Sequence, residues 1–386
     1  MKLKTLEKIL FFLTLLFLPT QLGRHFWPQF SFVYSLPIDY LSPTIYFWDI
    51  LLLILWIVFL LQKKNVNKTA LNLFYFFILT QALSLLSSSV NIGAGLVRLE
   101  QYLIAGLFGV YIASKNLKSV KNIIYWALSL SILGISALAI GQFIHSTTLG
   151  LWIIGERTFT LSTPGIAKFD FYGREFLRPY GTFPHPNVLA GFILIVLLLL
   201  PASRVLAILG SLTLLLTVSR VTIAAAFISA MFVFKAQGRK LIILISILLL
   251  PILYARYSSL FNFDSLTLLR REELTFTALN LWIFHPLFGV GLNNFIPTAA
   301  NALLTGPSRF LQPAHNIFLL TLSETGLVGL TGLTLLIAYP IFNRKKFLLV
   351  WSVIIFLGLF DHYFLTLAQG YRLLFLVWGL SQMVLE

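Results

Sequence analysis

The chain has 386 residues, 58% of them hydrophobic and 11% charged, with a formal net charge of +15 and no cysteine. A soluble chain of this length could not hide so much apolar surface, so lipid must cover it. The missing cysteines exclude disulfide chemistry, thiolate chemistry and any cysteine metal site.

In chain order, Lys2, Lys4 and Lys8 precede the first apolar run, which ends in Leu18-Pro19-Thr20-Gln21. No small-residue cleavage site follows, so this is a retained first span, not a removed signal. Further runs near the length that a bilayer requires recur to the end of the chain. The expected spans are roughly 6–22, 44–61, 69–87, 98–114, 122–144, 186–203, 205–219, 221–236, 240–254, 316–342, 347–360 and 364–384. The stretch 205–236 also admits other counts. The fold class is therefore an all-α polytopic membrane protein of about twelve transmembrane helices, as a single domain over 1–386.

Charge orients the spans. Gln62 to Lys68, Lys115 to Lys121, Lys235 to Lys240 and Asn343 to Lys346 are compact and basic, which marks the cytoplasmic side. Both termini then lie in the cytoplasm, and all six histidines lie on the outer side. Every lysine except Lys168 falls inside, while most arginines fall in outer loops or at outer span ends. Topogenesis explains the lysines, so the basic balance gives no reason to invoke nucleic acid. It does not explain the arginines. A guanidinium binds phosphate with two parallel hydrogen bonds and keeps its proton. The outer arginines are therefore expected to hold an anion such as a phosphate or diphosphate. The alternative is anchoring to lipid head groups together with ion pairs to Glu156, Glu175, Glu272 and Glu273.

Two outer loops are long, at about 145–184 and 255–315, and both are expected to contain short amphipathic helices. In the second, Asp264 and Ser265 suit a helix cap. Leu274, Ala278, Leu281 and Trp282 then recur at helical spacing until Pro286 and the glycines that follow. Such a helix would lie on the membrane surface or roof a cavity.

Four constellations stand at or near the outer face. Arg178-Pro179-Tyr180-Gly181-Thr182-Phe183-Pro184-His185-Pro186-Asn187 reads as a rigid turn into a span, with Pro186 in the first helical turn. Its prolines and Gly181 suit the turn itself, whereas Arg178, His185 and Asn187 are candidate functional groups. Thr217-Val218-Ser219-Arg220 places a cation inside an apolar stretch, where it must snorkel or face a polar partner. Arg270-Arg271-Glu272-Glu273 opens the loop helix that ends in His285-Pro286-Leu287-Phe288-Gly289-Val290-Gly291. No strand precedes these glycines, so they are not a dinucleotide fingerprint. Finally, Gln312-Pro313-Ala314-His315-Asn316 leads into a span carrying Glu324. An imidazole can take a proton near neutral pH, so His315 is a candidate base. A carboxylate within a span, such as Glu324, calls for a partner or a role; Arg220 is one possible partner. Asp49 and Glu100 are of the same kind. The sequence contains no zincin motif, phosphate-binding glycine loop with lysine, or Asp-x-Asp pair, so no metal or other cofactor is expected.

The order of these groups resembles the O-antigen ligase and polymerase superfamily, including Glu324-Thr325-Gly326-Leu327-Val328-Gly329 after His315-Asn316. Ile38-Asp39-Tyr40-Leu41-Ser42-Pro43-Thr44 before a span with Asp49 is similar too. The resemblance implies a metal-independent, inverting glycosyltransferase of the membrane-embedded C type. It would sit in the bacterial cytoplasmic membrane with its active site facing the periplasm. Its donor would be a glycan on undecaprenyl diphosphate. Its acceptor would be a hydroxyl on lipid A core, on another glycan or on a protein. By the same resemblance, His315 is the catalytic base and Arg220, Arg271, Arg178 and Arg270 hold the diphosphate. Asn316, Glu324, Asn187 and His185 support them. Members of the family often show Gly-Asn-Pro-Asn where this chain has Pro184-His185-Pro186-Asn187. Ligase, polymerase and protein O-oligosaccharyltransferase remain open, with ligase preferred. A lipid-linked oligosaccharide flippase or a non-catalytic scaffold are readings from other classes.

Overall fold

Apolar runs of this length leave the backbone one economical solution in lipid, the helix, which satisfies its own hydrogen bonds. The computed structural model describes residues 3–88, 90–171, 173–201, 203–239, 265–300 and 311–383, and these are mostly helical. The helices run α1 (Leu3–Leu16), α2 (Phe47–Leu61), α3 (Lys68–Leu83), α4 (Leu85–Ser88), α5 (Ile92–Ala113) and α6 (Leu117–His145). Then come α7 (Pro186–Leu199), α8 (Arg204–Leu216) and α9 (Arg220–Val233). The last group is α10 (Ser265–Phe284), α11 (Phe295–Ala300), α12 (Ile317–Asn343), α13 (Leu348–Gly358), α14 (Tyr363–Thr366) and α15 (Ala368–Gln382). Helices occupy every expected span except 240–254, which lies outside the described residues, as do Asp264 and 301–310. By length and composition α5, α6 and α12 can cross a membrane, whereas α2, α7, α8 and α9 are apolar but shorter.

Contacts divide the chain into two compact units, Met1–Ser131 with Arg270–Glu386, and Ile132–Leu269. In the first, α5 packs along α15, α3 along α12 and α1 along α2. The α5–α15 crossing is close because it is made of glycine: a Cβ on Gly379 would stand 2.5 Å from the Gly109 carbonyl oxygen. Small residues at such a crossing replace the hydrophobic drive that lipid removes. Large apolar side chains remain exposed on α2, among them Leu53, Ile57 and Leu61.

Two buried charge clusters of this unit are paired. Arg372 donates to the Thr20 carbonyl, lies 3.5 Å from Asp49 and sits over the rings of Tyr46 and Trp48. Asp49 also accepts from the Tyr46 amide, closing the cap of α2. Glu7 binds Lys64, Lys115, Gln62 and the Tyr111 hydroxyl. Removing its carboxylate strands the buried Lys115 ammonium, a change that typically costs about 3 kcal/mol. Glu7→Ala should therefore lower the thermal unfolding midpoint in detergent, with Glu7→Gln intermediate; an unchanged midpoint would show that the cluster contributes nothing to stability.

The connection between α1 and α2 is a further long loop, and it is folded. β1 (Gly23–His25) pairs with β4 (Thr44–Tyr46), and β2 (Phe32–Val33) with β3 (Leu36–Pro37). Tyr34 and Ser35 take φ of 51° and 62° at the β2–β3 turn, the left-handed conformation that two-residue hairpins need. The Tyr34 hydroxyl fixes this turn by donating to the Ala300 carbonyl at 2.6 Å. The 3-10 turn Asp39–Leu41 then presents Tyr40.

Helix α10 carries the expected apolar face. Leu274 and Ala278 are buried in one cluster with Ile38, Leu41, Phe295, Ile296 and Leu320, and Leu281 packs against it. The helix is thus packed on α11, α12 and the α1–α2 connection.

The long helix α12 is broken. Gly326 adopts φ 63° and ψ −162°, a conformation essentially reserved for glycine. The freed main-chain groups pair with the Pro286–Gly291 segment. Leu327 and Val328 donate to the carbonyls of Pro286 and Leu287, while Val290 and Gly291 donate to those of Ser323 and Glu324. Two glycine-bearing motifs far apart in sequence thus complete each other. A backbone break within a span requires such partners.

In the second unit, the loop at about 145–184 differs from expectation. Its described residues hold no α-helix but a 3-10 turn (Trp152–Ile154) and a hairpin, β5 (Lys168–Phe171) with β6 (Arg174–Leu177). Phe143, Phe169 and Phe176 stack nearly parallel on it. The stretch 205–236 forms two helices separated at Thr217–Ser219, where Val218 takes φ 55°. The hydroxyls of Ser219 and Thr222, 2.9 Å apart, secure the start of α9.

Candidate functional site

In the first unit the site is built upward from Arg98, fully buried on α5. Its guanidinium donates to the Leu365 carbonyl at 3.0 Å, the Tyr40 carbonyl at 3.2 Å and Asn293 Oδ1 at 3.2 Å. One cation thereby ties together the α1–α2 connection, the loop before α11 and the short α14. Tyr102 adds a second donor to Leu365, at 2.9 Å. Above this hub three rings stack edge to face. Tyr40 meets His362 at 5.6 Å between centroids, and His362 meets His315 at 5.0 Å with ring planes 78° apart.

His315 stands just before α12, half-buried. Asn316 is the cap of that helix: its Oδ1 accepts from the amides of Phe318 and Leu319, and its Nδ2 donates to the Leu359 carbonyl at 3.3 Å. Asn316 therefore supports His315 by fixing the backbone on which it sits. His315 Nδ1 lies on the buried side of the ring. It makes no standard hydrogen bond among the described residues, although the Pro313 carbonyl favours the protonated ring. Burial holds the imidazole below its ordinary pKa; the Asp361 carboxylate raises it and the Arg271 guanidinium lowers it further. His315 is thus a neutral imidazole near pH 7, a state from which it can accept a proton. Arg271 lies within electrostatic reach of it, and Arg270 is half-buried at the neighbouring position.

Glu324 is buried and accepts main-chain hydrogen bonds from Asn293 and Phe295, with Arg98 as a nearby cation in its own unit. It anchors the start of α11 beside the break in α12. His285 to Gly291 and Glu324 to Gly329 likewise supply the interlock described above.

The second unit holds a separate polar arrangement. Arg178 donates from Nε to the Thr217 carbonyl at 2.7 Å and from Nη2 to Asn187 Oδ1 at 2.8 Å. Arg220 opens α9 as its first residue and is exposed. Burial, together with the charge of Arg220 and against the favourable effect of Tyr180, pushes the Arg178 guanidinium down to about 10, so it stays charged at neutral pH. His185 caps α7, its Nδ1 accepting from the Asn187 amide at 3.1 Å. This explains the departure at Pro184-His185-Pro186-Asn187: the histidine does the work of a polar cap. Two of the expected arginine partners are occupied otherwise. Glu175 pairs with Lys168 at 3.0 Å, and Glu156 accepts from Gln142 and the amides of Leu149 and Leu151.

The sequence reading missed Arg98, Tyr40 and the Asp361-His362 turn as parts of the site. Arg98 carried the signal used for Arg220, a charge inside an apolar span. His362 was one of six outer histidines, and nothing local distinguished its turn.

Apolar helices, one of them broken, and polar side chains held at their ends are the features of a helical membrane protein. Residues 205–334 match the family model described as O-antigen ligase. The match supports the O-antigen ligase and polymerase superfamily and a membrane enzyme of that type. It covers roughly a third of the chain and contains Arg220, Arg270, Arg271, His315, Asn316 and Glu324, but neither the Arg178–Asn187 turn nor Asp361-His362. None of the curated proteins compared with the chain matches it.

Proposed function

We propose that this chain is an O-antigen ligase-like glycosyltransferase of about twelve spans. It would transfer a glycan from undecaprenyl diphosphate to an acceptor hydroxyl at the periplasmic face of the cytoplasmic membrane. The observation that carries this reading is the pair of guanidinium groups, Arg178 and Arg220, gathered at the start of α9. Two cations beside the positive end of a helix dipole repel one another, and a bound anion relieves that repulsion.

In the reaction the acceptor oxygen attacks the anomeric carbon from the face opposite the diphosphate. The bond from that carbon to the diphosphate oxygen breaks, and its electron pair leaves on the diphosphate. The acceptor proton passes to His315. Arg220, Arg178 and Arg271 are assigned to the growing negative charge, which fixed donors stabilise more in the transition state than in the ground state. Asn187 and Asn316 hold Arg178 and His315 in place, and Arg270 is assigned to the diphosphate together with Arg271. The polymerase and protein O-oligosaccharyltransferase readings share these steps and differ in acceptor.

A broken span is also a feature of transporters, where it exposes main-chain groups to a permeating solute. The groups freed in α12 instead bond to Pro286–Gly291, so this break gives the flippase reading no support.

Arg220→Ala is expected to lower transfer from an undecaprenyl-diphosphate glycan by about a hundredfold, the usual effect of losing one oxyanion donor. Arg220→Lys should recover part of it. The check is donor consumption by purified protein of equal dispersity. Full activity in Arg220→Ala would remove this residue from the site.

A further inference from the structure

We propose that His362 is a positioning residue for His315: it orients that imidazole and stabilises the imidazolium formed when the acceptor proton arrives. The inference rests on the reading of His315 as the base. It begins with Thr366. The Thr366 hydroxyl lies 3.1 Å from the His362 carbonyl, one helical turn back, and 2.6 Å from His362 Nδ1. The contact at Nδ1 fixes the plane of the ring. The Asp361 carboxylate fixes the backbone beneath by accepting from the His362 amide at 2.8 Å. Tyr40 meets the ring edge to face at 5.6 Å, and Arg98 holds both Tyr40 and Leu365 by their carbonyls.

His362 is therefore locked from its own turn, from the α1–α2 connection and from α5, and is 5% exposed. A ring held by a dedicated hydroxyl and in contact with the candidate base has a use beyond packing. On taking a proton His315 becomes a cation in a half-buried place. An adjacent aromatic ring stabilises a cation through its π-electrons, and Asp361 adds its negative charge. The groups facing His315 are Asp361 from the α13–α14 turn, Arg271 from α10 and His362, which in turn contacts Tyr40. Arg271 opposes protonation and the others support it.

The test is transfer from an undecaprenyl-diphosphate glycan, measured as kcat, KM and pH profile for His362→Phe, His362→Ala, Thr366→Val, Thr366→Ser and His315→Ala. His362→Phe keeps an aromatic face against His315 and is expected to hold thermal stability, kcat and pH profile close to wild type. In His362→Ala kcat should fall about tenfold or more at a donor KM within about twofold, with the acidic limb of kcat/KM moved to lower pH because the imidazolium is less stabilised. Thr366→Val should lose activity in the same direction, and Thr366→Ser should recover it. Wild-type kcat and pH profile in His362→Ala, or a loss in His362→Phe equal to that in His362→Ala, would overturn the inference and leave His362 as packing. That failure is separate from failure of the base reading, which full activity in His315→Ala would bring.

Discussion

Replacing His315 by alanine is expected to lower glycan transfer by about a hundred- to ten-thousandfold, the span usual for loss of a positioned general base. Insertion and folding should survive, because the helix start beneath it is held by Asn316 and not by the imidazole. A non-catalytic scaffold predicts no change, so the same variant decides between classes. The sign of the pH dependence follows from the role. A base must be neutral to act, so activity falls as pH drops through the pKa of His315 and is flat above it. Burial and Arg271 depress that pKa against the pull of Asp361, so the plateau should extend below the ordinary histidine value. Asp361→Asn removes a group that favours the protonated ring and should move the acidic limb lower still. An acidic limb above the ordinary value in the wild type would contradict the environment described for the ring.

Much of the helical scaffold could be read from sequence because it is written locally. Apolar runs gave helix positions, Pro186 gave the start of α7, and the spacing of Leu274, Ala278 and Leu281 gave the buried face of α10. The candidate residues themselves were visible as charges and imidazoles out of place in an apolar chain. What local pattern could not show is who their neighbours are. Glu324 looked like a functional carboxylate, and its partners are amides of Asn293 and Phe295 with Arg98 nearby. His185 reads as a candidate supporting group, and its Nδ1 also caps α7, a local contact that the sequence did not reveal. Tyr40 and His362 are separated by most of the chain and meet where Arg98 holds the Tyr40 and Leu365 carbonyls. The hairpin at Lys168–Leu177 is a different case. Lys168-Phe169-Asp170-Phe171 alternates with period two, a strand signal that the strong helical composition of the chain masked.

Gly326→Ala is expected to be the most destabilising single methyl that can be added to the described part of α12. Two penalties act together. The backbone at Gly326, φ 63° and ψ −162°, is one that a side chain strains by about 1–3 kcal/mol. The added Cβ would also lie 2.3 Å from the carbonyl carbon and oxygen of Leu287. Those are backbone atoms held by the four bonds of the interlock, so they cannot turn aside as a side chain would. Relief requires Pro286–Gly291 to separate from Ser323–Val328, which leaves main-chain donors and acceptors unpaired within the span. A loss above about 4 kcal/mol is the mark of such a special site. Gly289→Ala should behave alike, since its Cβ would meet the Glu324 carbonyl carbon at 2.3 Å with φ at 66°. Gly134→Ala is the matched control: it is helical, nothing lies within 4 Å of its added Cβ, and alanine favours the helix by about 1 kcal/mol. The measurement is thermal unfolding in detergent followed by size-exclusion chromatography or tryptophan fluorescence. Gly326→Ala and Gly289→Ala should give little monodisperse protein or a large drop in midpoint, while Gly134→Ala stays at or above wild type. A Gly326→Ala protein as stable as wild type would mean that α12 runs unbroken, and that the two glycine motifs do not hold each other.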